Sequence, residues 1–493
     1  MENNFFLTWP EAFEAGTESA GGKGWNLGRL DRYGFRVPLG GVLTAAAYRE
    51  FVELNDFHKD LAEIADTITI DTIGNKETAQ KLDLVRDKIM RGRIPEQIGA
   101  TLESGLTNLN IMNKPVAVRS SASAEDSSRA SFAGIHDSFL NISGIKNIIT
   151  AVKGCYASLW TERAVGYRRK MGIGDEEVLP AVVIMELVEA QASGIAFSCD
   201  PHTGREDVVT VNANFGLGES VVAGSIDPDK YYLYNSSYLL RPGRIIIGRK
   251  EGATVLSEDG GTKFKTSEDT RQKQVLTEEN IVKLGYLILR VYDALGQSQV
   301  HQDVEWVFNG HDFVLVQARP VTVLPRYTCP GIKDQPDIWS NSNIKDTVPM
   351  VASTLSLSFN WVPNLVLTSF FSEIGYQVPE GLNFIKMYQG RPYLNMGAFQ
   401  WLCYDCIGFK PAELNASIGG HEPEIKIDEK ISLSKTIAKK IRMLKIMRET
   451  TKAKKNSKIL FPRWREQAKT LLSRDHTKFS QNDFFRNSTS LHR

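Results

Sequence analysis

The segment QDVEWVFNGHDFVLVQARP, residues 302–320, constrains the fold more than any other stretch of this sequence. Two runs of alternating character flank Asn309 and Gly310, a pair that is typical of a β-hairpin turn. Simple alternation would place four side chains on one face of the second strand: Phe313, Leu315, Gln317 and Arg319. Polar groups at such apolar positions need partners, because uncompensated burial costs about 1–3 kcal/mol each. The hairpin therefore predicts a polar site and not only a structural turn.

The polar residues of this hairpin have a combined chemical use. A carboxylate from Glu305 and an amide oxygen from Gln317 could hold Mg²⁺, while Arg319 binds a phosphate. The register of the hairpin tests this interpretation, since a two-residue turn would put Glu305 on the face opposite Gln317. A shared site therefore predicts a turn of three or five residues, or a bulge nearby.

A glycine-rich stretch near the N-terminus, GTESAGGKGWNLG at residues 16–28, resembles a Walker A loop but departs from it. That motif needs Ser or Thr after its lysine, and Lys23 is followed by Gly24. Similarly, FGLGESVVAG at 215–224 has Val221 where a dinucleotide fingerprint needs its third glycine. The glycines around Lys23 still allow a backbone to approach a ligand closely, and the lysine adds a positive charge beside a helix start. A tight turn explains the glycines but not the lysine.

The stretch VRSSASAEDSSRASFAGIHDSF, residues 118–139, is either a serine-rich spacer or a loop over an anionic ligand. Arg119 follows an apolar run and so lies at a strand end, where its guanidinium can contact a phosphate through two hydrogen bonds. The small residues up to Gly134 could form a flap, with the Ser138 hydroxyl at its far side. Three apolar side chains of this stretch are costly to leave in water: Phe132, Ile135 and Phe139. This cost favours a folded ligand loop.

Length and composition indicate a protein of two or three domains. The chain has 493 residues, 42% of them hydrophobic, and a formal net charge of +1, which excludes a general polycation or polyanion. No run of about 18 apolar residues occurs, and the N-terminus lacks a secretory signal pattern, so we expect a cytoplasmic protein without a membrane segment. The five cysteines form no disulfide framework. Cys403 and Cys406 lack the second close pair that a structural zinc site needs, which favours two ordinary thiols.

Pattern changes along the chain predict an α+β fold with three parts. A helix is predicted over residues 84–106, and strands over 180–188, 207–215 and 312–321. The proline-rich segment RPVTVLPRYTCPG then breaks the pattern. The predicted parts are a first α+β region, a second mixed domain and a basic helical tail, at residues 1–325, 326–433 and 434–493.

The tail carries thirteen Lys and Arg against two Glu between Lys435 and Lys469. Its apolar residues recur at helical spacing and predict an amphipathic helix: Ile437, Ile441, Leu444 and Met447. Such a helix could bind nucleic acid or an anionic membrane surface. We favour the simpler interpretation, a solvated helix docked on an acidic domain of the same chain, and expect no nucleic-acid partner.

Five blocks of this sequence, in order, resemble the nucleotide-binding half of the dikinase family, which includes phosphoenolpyruvate synthase, pyruvate phosphate dikinase and rifampicin phosphotransferase. The blocks are GGKGWNLGRL, VAVRSSASAEDSSRASFAGIHDSFLNI, SGIAFSCDPHTG, NANFGLGESVVAGSIDPDKY and QDVEWVFNGHDFVLVQARPVT. The resemblance covers about residues 5–325 and implies an ATP-grasp-type fold, in which two lobes hold ATP between them. Residues 336–401 look like the start of the second domain in long members of the family, which implies an acceptor-side or linker domain.

Carried over by position, the resemblance implies binding roles for ATP and Mg²⁺. Lys23 and Arg119 would bind phosphates. The implied loop and metal residues are Gly134 and Ser138 over the phosphates, Glu305 and Gln317 on Mg²⁺, and Arg319 on the transferring phosphate. The strand from Met185 through Glu186 to Val188 would line the adenine pocket, chiefly through its backbone. Met185 replaces the Gln of rifampicin phosphotransferase-like members, so a side-chain hydrogen bond to adenine is not expected there.

One departure from the family is large. Its members pass phosphate from ATP to a histidine in a T-x-x-G-G-x-T-S-H segment, and none of the eight histidines here has that setting. Gly419-Gly420-His421 comes nearest. We therefore expect the ATP-binding part of a phosphotransferase, with a phosphohistidine domain supplied by a partner or by a missing C-terminal part, and a small-molecule acceptor. The alternative is an ATP-binding sensor or scaffold that has lost transfer.

Overall fold

A computed structural model describes residues 4–122, 138–236, 239–266, 268, 270–342, 344–345, 351, 361–418, 422–427 and 433–473. The chain divides into two compact units, Met1–Tyr327 and Thr328–Arg493. Helices and antiparallel sheets occur in both units, which confirms the α+β class.

The first unit contains a five-stranded antiparallel sheet in the order β1-β2-β5-β3-β4. Its strands are β1 (Phe6–Thr8), β2 (Gly40–Leu43), β3 (Val116–Ala122), β4 (Ser138–Ile142) and β5 (Pro180–Glu186). Val116 and Ile184 face a core built with the helices that follow β2, whereas Val183 and Met185 face a second core shared with the first helix. The sheet is thus buried on both faces, as its apolar runs require.

The helices of this unit are α1 (Trp9–Arg32), α2 (Ala45–Leu54), α3 (His58–Thr67), α4 (Lys76–Arg91), α5 (Glu96–Asn108), α6 (Ile145–Ser158), α7 (Glu162–Met171), α8 (Glu219–Val222) and α9 (Glu278–Gly296). The single helix predicted over 84–106 is wrong, because α4 ends at Arg91 and α5 begins at Glu96. Pro95 separates them, since proline has no backbone N–H and disfavours helical geometry in the residue before it.

The unit's second sheet has six antiparallel strands in the order β13-β12-β6-β7-β8-β9. These are β6 (Ala192–Phe197), β7 (Val208–Phe215), β8 (Asp229–Ser236), β9 (Leu239–Ile246), β12 (Gln302–Phe308) and β13 (Phe313–Pro320). A separate hairpin pairs β10 (Gly252–Leu256) with β11 (Thr262–Thr266). One face of the six-stranded sheet packs Val304 and Trp306 into a core with α9, leaving the other face for polar side chains.

A β-bulge decides which side chains of the β12–β13 hairpin lie on the polar face. Phe308 pairs with Phe313 across residues 309–312, yet Glu305 pairs with Gln317, because Val316 is an extra unpaired residue. The predicted common face for Phe313, Leu315, Gln317 and Arg319 is therefore wrong. Phe313 and Leu315 lie in the core, whereas the two polar residues lie on the opposite face with Glu305. The bulge meets the register condition for a shared site.

The second unit has a three-stranded antiparallel sheet in the order β14-β16-β15. Its elements are β14 (Trp339–Ser340), β15 (Ile385–Tyr388), β16 (Arg391–Asn395), α10 (Trp361–Glu373), α11 (Met396–Ile407), α12 (Pro411–Ile418) and α13 (Leu433–Leu472). Phe371 and Phe384 are central in its core. Cys403 and Cys406 are both buried free thiols, and burial raises their pKa values to about 12 and about 11.

Helix α13 docks within the second unit through basic side chains and not through the predicted apolar stripe. Lys445 donates to the carbonyl of Glu373 at 2.6 Å, and Arg442 donates to the carbonyl of Cys406 at 3.3 Å. Both carbonyls lie at helix C-termini, where positive charge is favoured. The predicted stripe is instead exposed, with exposed fractions of 58–67% for Ile437, Ile441, Leu444 and Met447. Among the described residues, no helix has both the length and the apolar character that crossing a bilayer would require.

Candidate functional site

The polar face of the six-stranded sheet brings together four side chains from β12 and β13: Asp303, Glu305, Gln317 and Arg319. The Arg319 guanidinium donates through Nε and Nη2 to Asp303 Oδ2, at 2.8 and 2.6 Å. Burial raises the pKa of the Asp303 carboxyl, and the positive charge of Arg319 offsets that effect only in part. The result is a partly desolvated group of charges on the polar face of the sheet.

Arg119 joins this group from the other sheet. It lies on β3, opposite Ser138 on β4 and Val183 on β5. Its Nη2 atom donates to Glu305 Oε2 at 2.9 Å, and the two side chains are only 14% and 16% exposed. The predicted phosphate ligand and the predicted metal ligand are therefore in direct contact across the two sheets.

The glycine-rich segment holds Lys23 beside the same strand. Lys23 Nζ donates to the Ser120 carbonyl at 2.9 Å, and the Gly24 backbone N–H donates to Ser121 Oγ at 3.0 Å. Helix α1 leaves helical geometry at Gly21, where φ is +67°, and a Cβ there would lie 1.8 Å from the Ser121 carbonyl oxygen. Glycine is required at that position, because its backbone packs directly on β3. The segment thus holds the Lys23 amino group against the carbonyl of Ser120, the residue that follows Arg119 on β3.

The segment predicted to line an adenine pocket crosses from one sheet to the other. Met185 is buried on β5 between Gly40 and Ala117, so its side chain belongs to the core. The Glu186 carboxylate accepts from Lys114 Nζ at 2.7 Å. Val188 is half-buried and follows the end of β5, on the way to β6.

Gly134 and Ser138, the two residues predicted to lie in a loop over the phosphates, have different outcomes. Gly134 lies outside the residues that the structure describes. Ser138 is exposed at the start of β4, directly across from Arg119. Its hydroxyl is therefore on the side of the sheet where the predicted phosphate ligands meet.

The oxygen atoms on the polar face suit a hard cation. Gln317 is 4% exposed, and its Oε1 atom has no hydrogen-bond partner among the described residues, nor has Asp303 Oδ1. Carboxylate and amide oxygens of this kind are ligands that Mg²⁺ accepts, usually one or two together with substrate phosphates. Consistently, the described part of the chain has no cluster of three or more His, Cys, Asp or Glu side chains placed to hold a metal by themselves. The unpartnered oxygens of Gln317 and Asp303 are thus of the kind that could hold Mg²⁺.

Asp303 is the residue that sequence reasoning missed. It stands two positions before Glu305, so strand periodicity already placed both carboxylates on one face. Its role in holding Arg319 was not visible, because that contact depends on the bulge at Val316.

Comparison with known proteins bears on the same region. Residues 17–336, more than half of the chain, match the family model described as pyruvate phosphate dikinase, AMP/ATP-binding domain. A probable phosphoenolpyruvate synthase of Methanocaldococcus jannaschii is 34% identical over 65% of this chain and 27% of its own length. A rifampicin phosphotransferase of a Streptomyces species is 36% identical over 66% of this chain and 36% of its own length. The phosphoenolpyruvate synthase of Aquifex aeolicus is 34% identical over 62% of this chain and 38% of its own length.

The matches span between about a quarter and two fifths of the lengths of these three relatives. Residues 17–336, which match the family model, include Lys23, Arg119 and the β12–β13 hairpin. This family match shows that the chain belongs to the pyruvate phosphate dikinase family through its AMP/ATP-binding domain.

Proposed function

We propose that the first unit binds Mg²⁺-ATP between its two sheets, in an ATP-grasp-type arrangement of two lobes, and serves as the nucleotide-binding part of a dikinase-type phosphotransferase. The observation that carries this proposal is the convergence of Arg119 from one sheet on Glu305 and its polar neighbours on the other. Two sheets whose oppositely charged side chains meet in a partly buried contact suit a polyphosphate with its cation.

Each residue has a distinct task in this proposal. Lys23 and Arg119 hold the phosphates, and Arg319 contacts the phosphate that is transferred. Gly134 and Ser138 belong to the loop over the phosphates. Glu305 and Gln317 would hold Mg²⁺, which neutralises phosphate charge when bound. The adenine lies against the segment made by Met185, Glu186 and Val188. Catalysis is then chiefly positioning and electrostatic stabilisation by fixed positive groups.

The phosphate is passed, in this proposal, to a histidine on a phosphohistidine domain from a partner chain or from a further C-terminal part. That domain would hand it to a small-molecule acceptor. The names phosphoenolpyruvate synthase and rifampicin phosphotransferase indicate different acceptors, and we propose only the shared ATP-dependent first step. A cytoplasmic location also stays a prediction.

Binding is tested by calorimetric titration of the intact chain with a non-hydrolysable ATP analogue and Mg²⁺. Arg119→Ala and Lys23→Ala should each weaken binding about 10- to 100-fold, because a charge-assisted contact contributes about 1.5–3 kcal/mol. Gln317→Met should weaken binding but raise the free energy of unfolding by about 1 kcal/mol, since it removes a buried amide oxygen that has no partner among the described residues.

The matched control for Gln317→Met is Gln302→Met on the neighbouring strand. Gln302 is 3% exposed, and its Nε2 atom donates to the Val300 carbonyl at 2.9 Å, so the same substitution should lower stability there. Unchanged nucleotide affinity in Arg119→Ala, Lys23→Ala and Gln317→Met alike would reject the site.

Transfer is tested separately with ATP labelled at the β or the γ position and a purified phosphohistidine domain of a relative. We expect label on the histidine domain, and none when Arg319→Ala replaces the parent chain. Tight Mg²⁺-ATP binding without any labelled histidine domain would instead favour a sensor or scaffold.

A further inference from the structure

We propose that the Arg119–Glu305 ion pair is a latch that Mg²⁺ opens, so that the nucleotide phosphates gain Arg119 only when a cation takes Glu305. This inference rests on the proposed function. It adds that metal and phosphate binding are coupled through an exchange of partners by these two side chains. The latch makes metal-free nucleotide a poor ligand of the resting protein.

The contact itself supports an exchange of partners. Arg119 Nη2 and Glu305 Oε2 are 2.9 Å apart, and neither side chain is more than 16% exposed. At this burial each charge needs a partner, because an uncompensated charge in a partly desolvated site is costly. A metal ion that takes Glu305 leaves Arg119 without its anion, and a phosphate is then the replacement that restores the balance of charge. The reverse is also true, since linkage between two ligands is reciprocal.

A second contact keeps the two sheets together while the latch is open. The Asn141 amide on β4 donates through Nδ2 to the carbonyls of Ser257 and Gly261, at 2.8 and 2.9 Å. These carbonyls belong to the turn of the β10–β11 hairpin. That hairpin is joined to the end of β7 by the Leu217 N–H, which donates to the Thr254 carbonyl at 2.8 Å. The contact of Asn141 with the Ser257 and Gly261 carbonyls is uncharged and does not involve Glu305. Release of Glu305 therefore leaves Arg119 close to the opposite sheet.

The latch predicts a gain of function. When Arg119 is held by Glu305 in most molecules, the apparent affinity for a metal-free nucleotide is the affinity of the unlatched form multiplied by the unlatched fraction. Glu305→Gln keeps the shape of the side chain and removes its charge. It should tighten binding of ATP in excess EDTA by about tenfold, and it should abolish most of the tightening that Mg²⁺ produces in the parent chain.

The experiment is a double-mutant cycle on the intact chain, with ATP titrated calorimetrically in EDTA and in Mg²⁺. Its variants are Glu305→Gln, Arg119→Ala and the double variant. Glu305→Ala is added as a second way to remove the carboxylate, because alanine, unlike glutamine, has no side-chain oxygen that could accept a hydrogen bond from Arg119. If the latch is correct, the gain from Glu305→Gln in EDTA disappears in the Arg119→Ala background. A gain that persists without Arg119 would show simple charge repulsion and would overturn the latch, as would no gain at all.

The matched control is Asp312→Asn. Asp312 is a carboxylate of the same hairpin and pairs with Arg36, but that pair is exposed at 47% and 59%. The affinity of Asp312→Asn for ATP in EDTA should equal that of the parent chain. Failure of the parent chain to bind ATP with Mg²⁺ would reject the proposed function itself, whereas normal Mg²⁺-ATP binding with no gain in Glu305→Gln would reject only the latch.

Discussion

Two glycines in helix α1 adopt almost the same backbone conformation in different surroundings. Gly16 has φ of +73°, and a Cβ there would meet no atom within 4 Å, whereas Gly21 has φ of +67° and lies against the Ser121 carbonyl. Both combine a positive φ with an extended ψ, a backbone conformation that is essentially restricted to glycine. Only at Gly21 would a side chain also clash with the backbone of β3, against which this segment packs and positions Lys23.

Gly21→Ala should therefore lower the free energy of unfolding by about 3–5 kcal/mol, the sum of backbone strain and a clash with a main-chain oxygen. Gly16→Ala is the matched control and should cost only about 1–2 kcal/mol. Urea unfolding of both variants measures the difference. Equal losses would show that β3 moves aside and that the contact at Gly21 is not rigid.

The chemical identity of the candidate site could be predicted from sequence at the level of single residues. Lys23, Arg119 and Glu305 stood out because charged side chains interrupt glycine-rich or apolar runs. The contact between Arg119 and Glu305 could not be predicted, because it joins residues 186 positions apart on different sheets. Strand periodicity describes one strand and carries no information on which sheet lies opposite.

At the scale of elements, the strands predicted over 180–188, 207–215 and 312–321 coincide with β5, β7 and β13 within two residues at each end, and the main error concerns register. Alternation placed Gln317 and Arg319 with Phe313, but the unpaired Val316 moves them to the other face. A bulge leaves no mark in composition, since its extra residue, Val316, is an ordinary strand residue. The split between α4 and α5 was missed although Gly92 and Pro95, which interrupt the helical pattern, stand in the sequence.

The end of helix α7 rests on a buried ion pair that the proposed function does not use. Arg168 is 1% exposed and donates through Nε to Asp175 Oδ1 at 2.6 Å, while its guanidinium lies over the Trp160 ring. Burial alone would raise the pKa of Asp175. The hydrogen bonds and positive charges of Arg169 and Arg168 outweigh burial and hold that pKa below its ordinary value. The pair therefore stabilises the folded state in its ionised form.

Asp175→Asn should lower the free energy of unfolding near neutral pH by about 3–5 kcal/mol, because it leaves Arg168 buried without its anion. The folded-state pKa of Asp175 is depressed, so its contribution is present above the unfolded carboxyl value of about 3.9 and is lost as pH falls through the folded value. The variant and the parent chain should thus approach equal stability at low pH. Urea unfolding between pH 3 and pH 7 measures this.

Asp83→Asn is the control for that prediction, since Asp83 pairs with Arg86 at a site where the side chains are 71% and 40% exposed. Its loss should stay within about 0.5 kcal/mol at every pH. A constant deficit for Asp175→Asn down to pH 3 would contradict the ionic origin of the effect.

At the scale of the whole molecule, each unit has its own hydrophobic core, and only the first carries the candidate nucleotide site. We expect two calorimetric unfolding transitions, one for each unit. Mg²⁺-ATP should raise the free energy of unfolding of the first unit only, by about 2.7 kcal/mol at a ligand concentration 100 times Kd. Gln400→Met should lower the free energy of unfolding of the second unit only, because buried Gln400 accepts from the Ile425 N–H and donates to the Pro423 carbonyl. A single transition that responds to both changes would contradict this.

The bulge at Val316 has a consequence for how this chain tolerates change in length. Deleting Val316 would place Gln317 directly after Leu315, so simple alternation would keep Gln317 and Arg319 on the polar face, with Glu305 still opposite Gln317, in a ladder without a bulge. Deleting the paired residue Ala318 would instead exchange the faces beyond that point and direct Arg319 into the core. The face on which Arg319 lies therefore depends on the number of paired residues of β13 and not on the extra residue of the bulge.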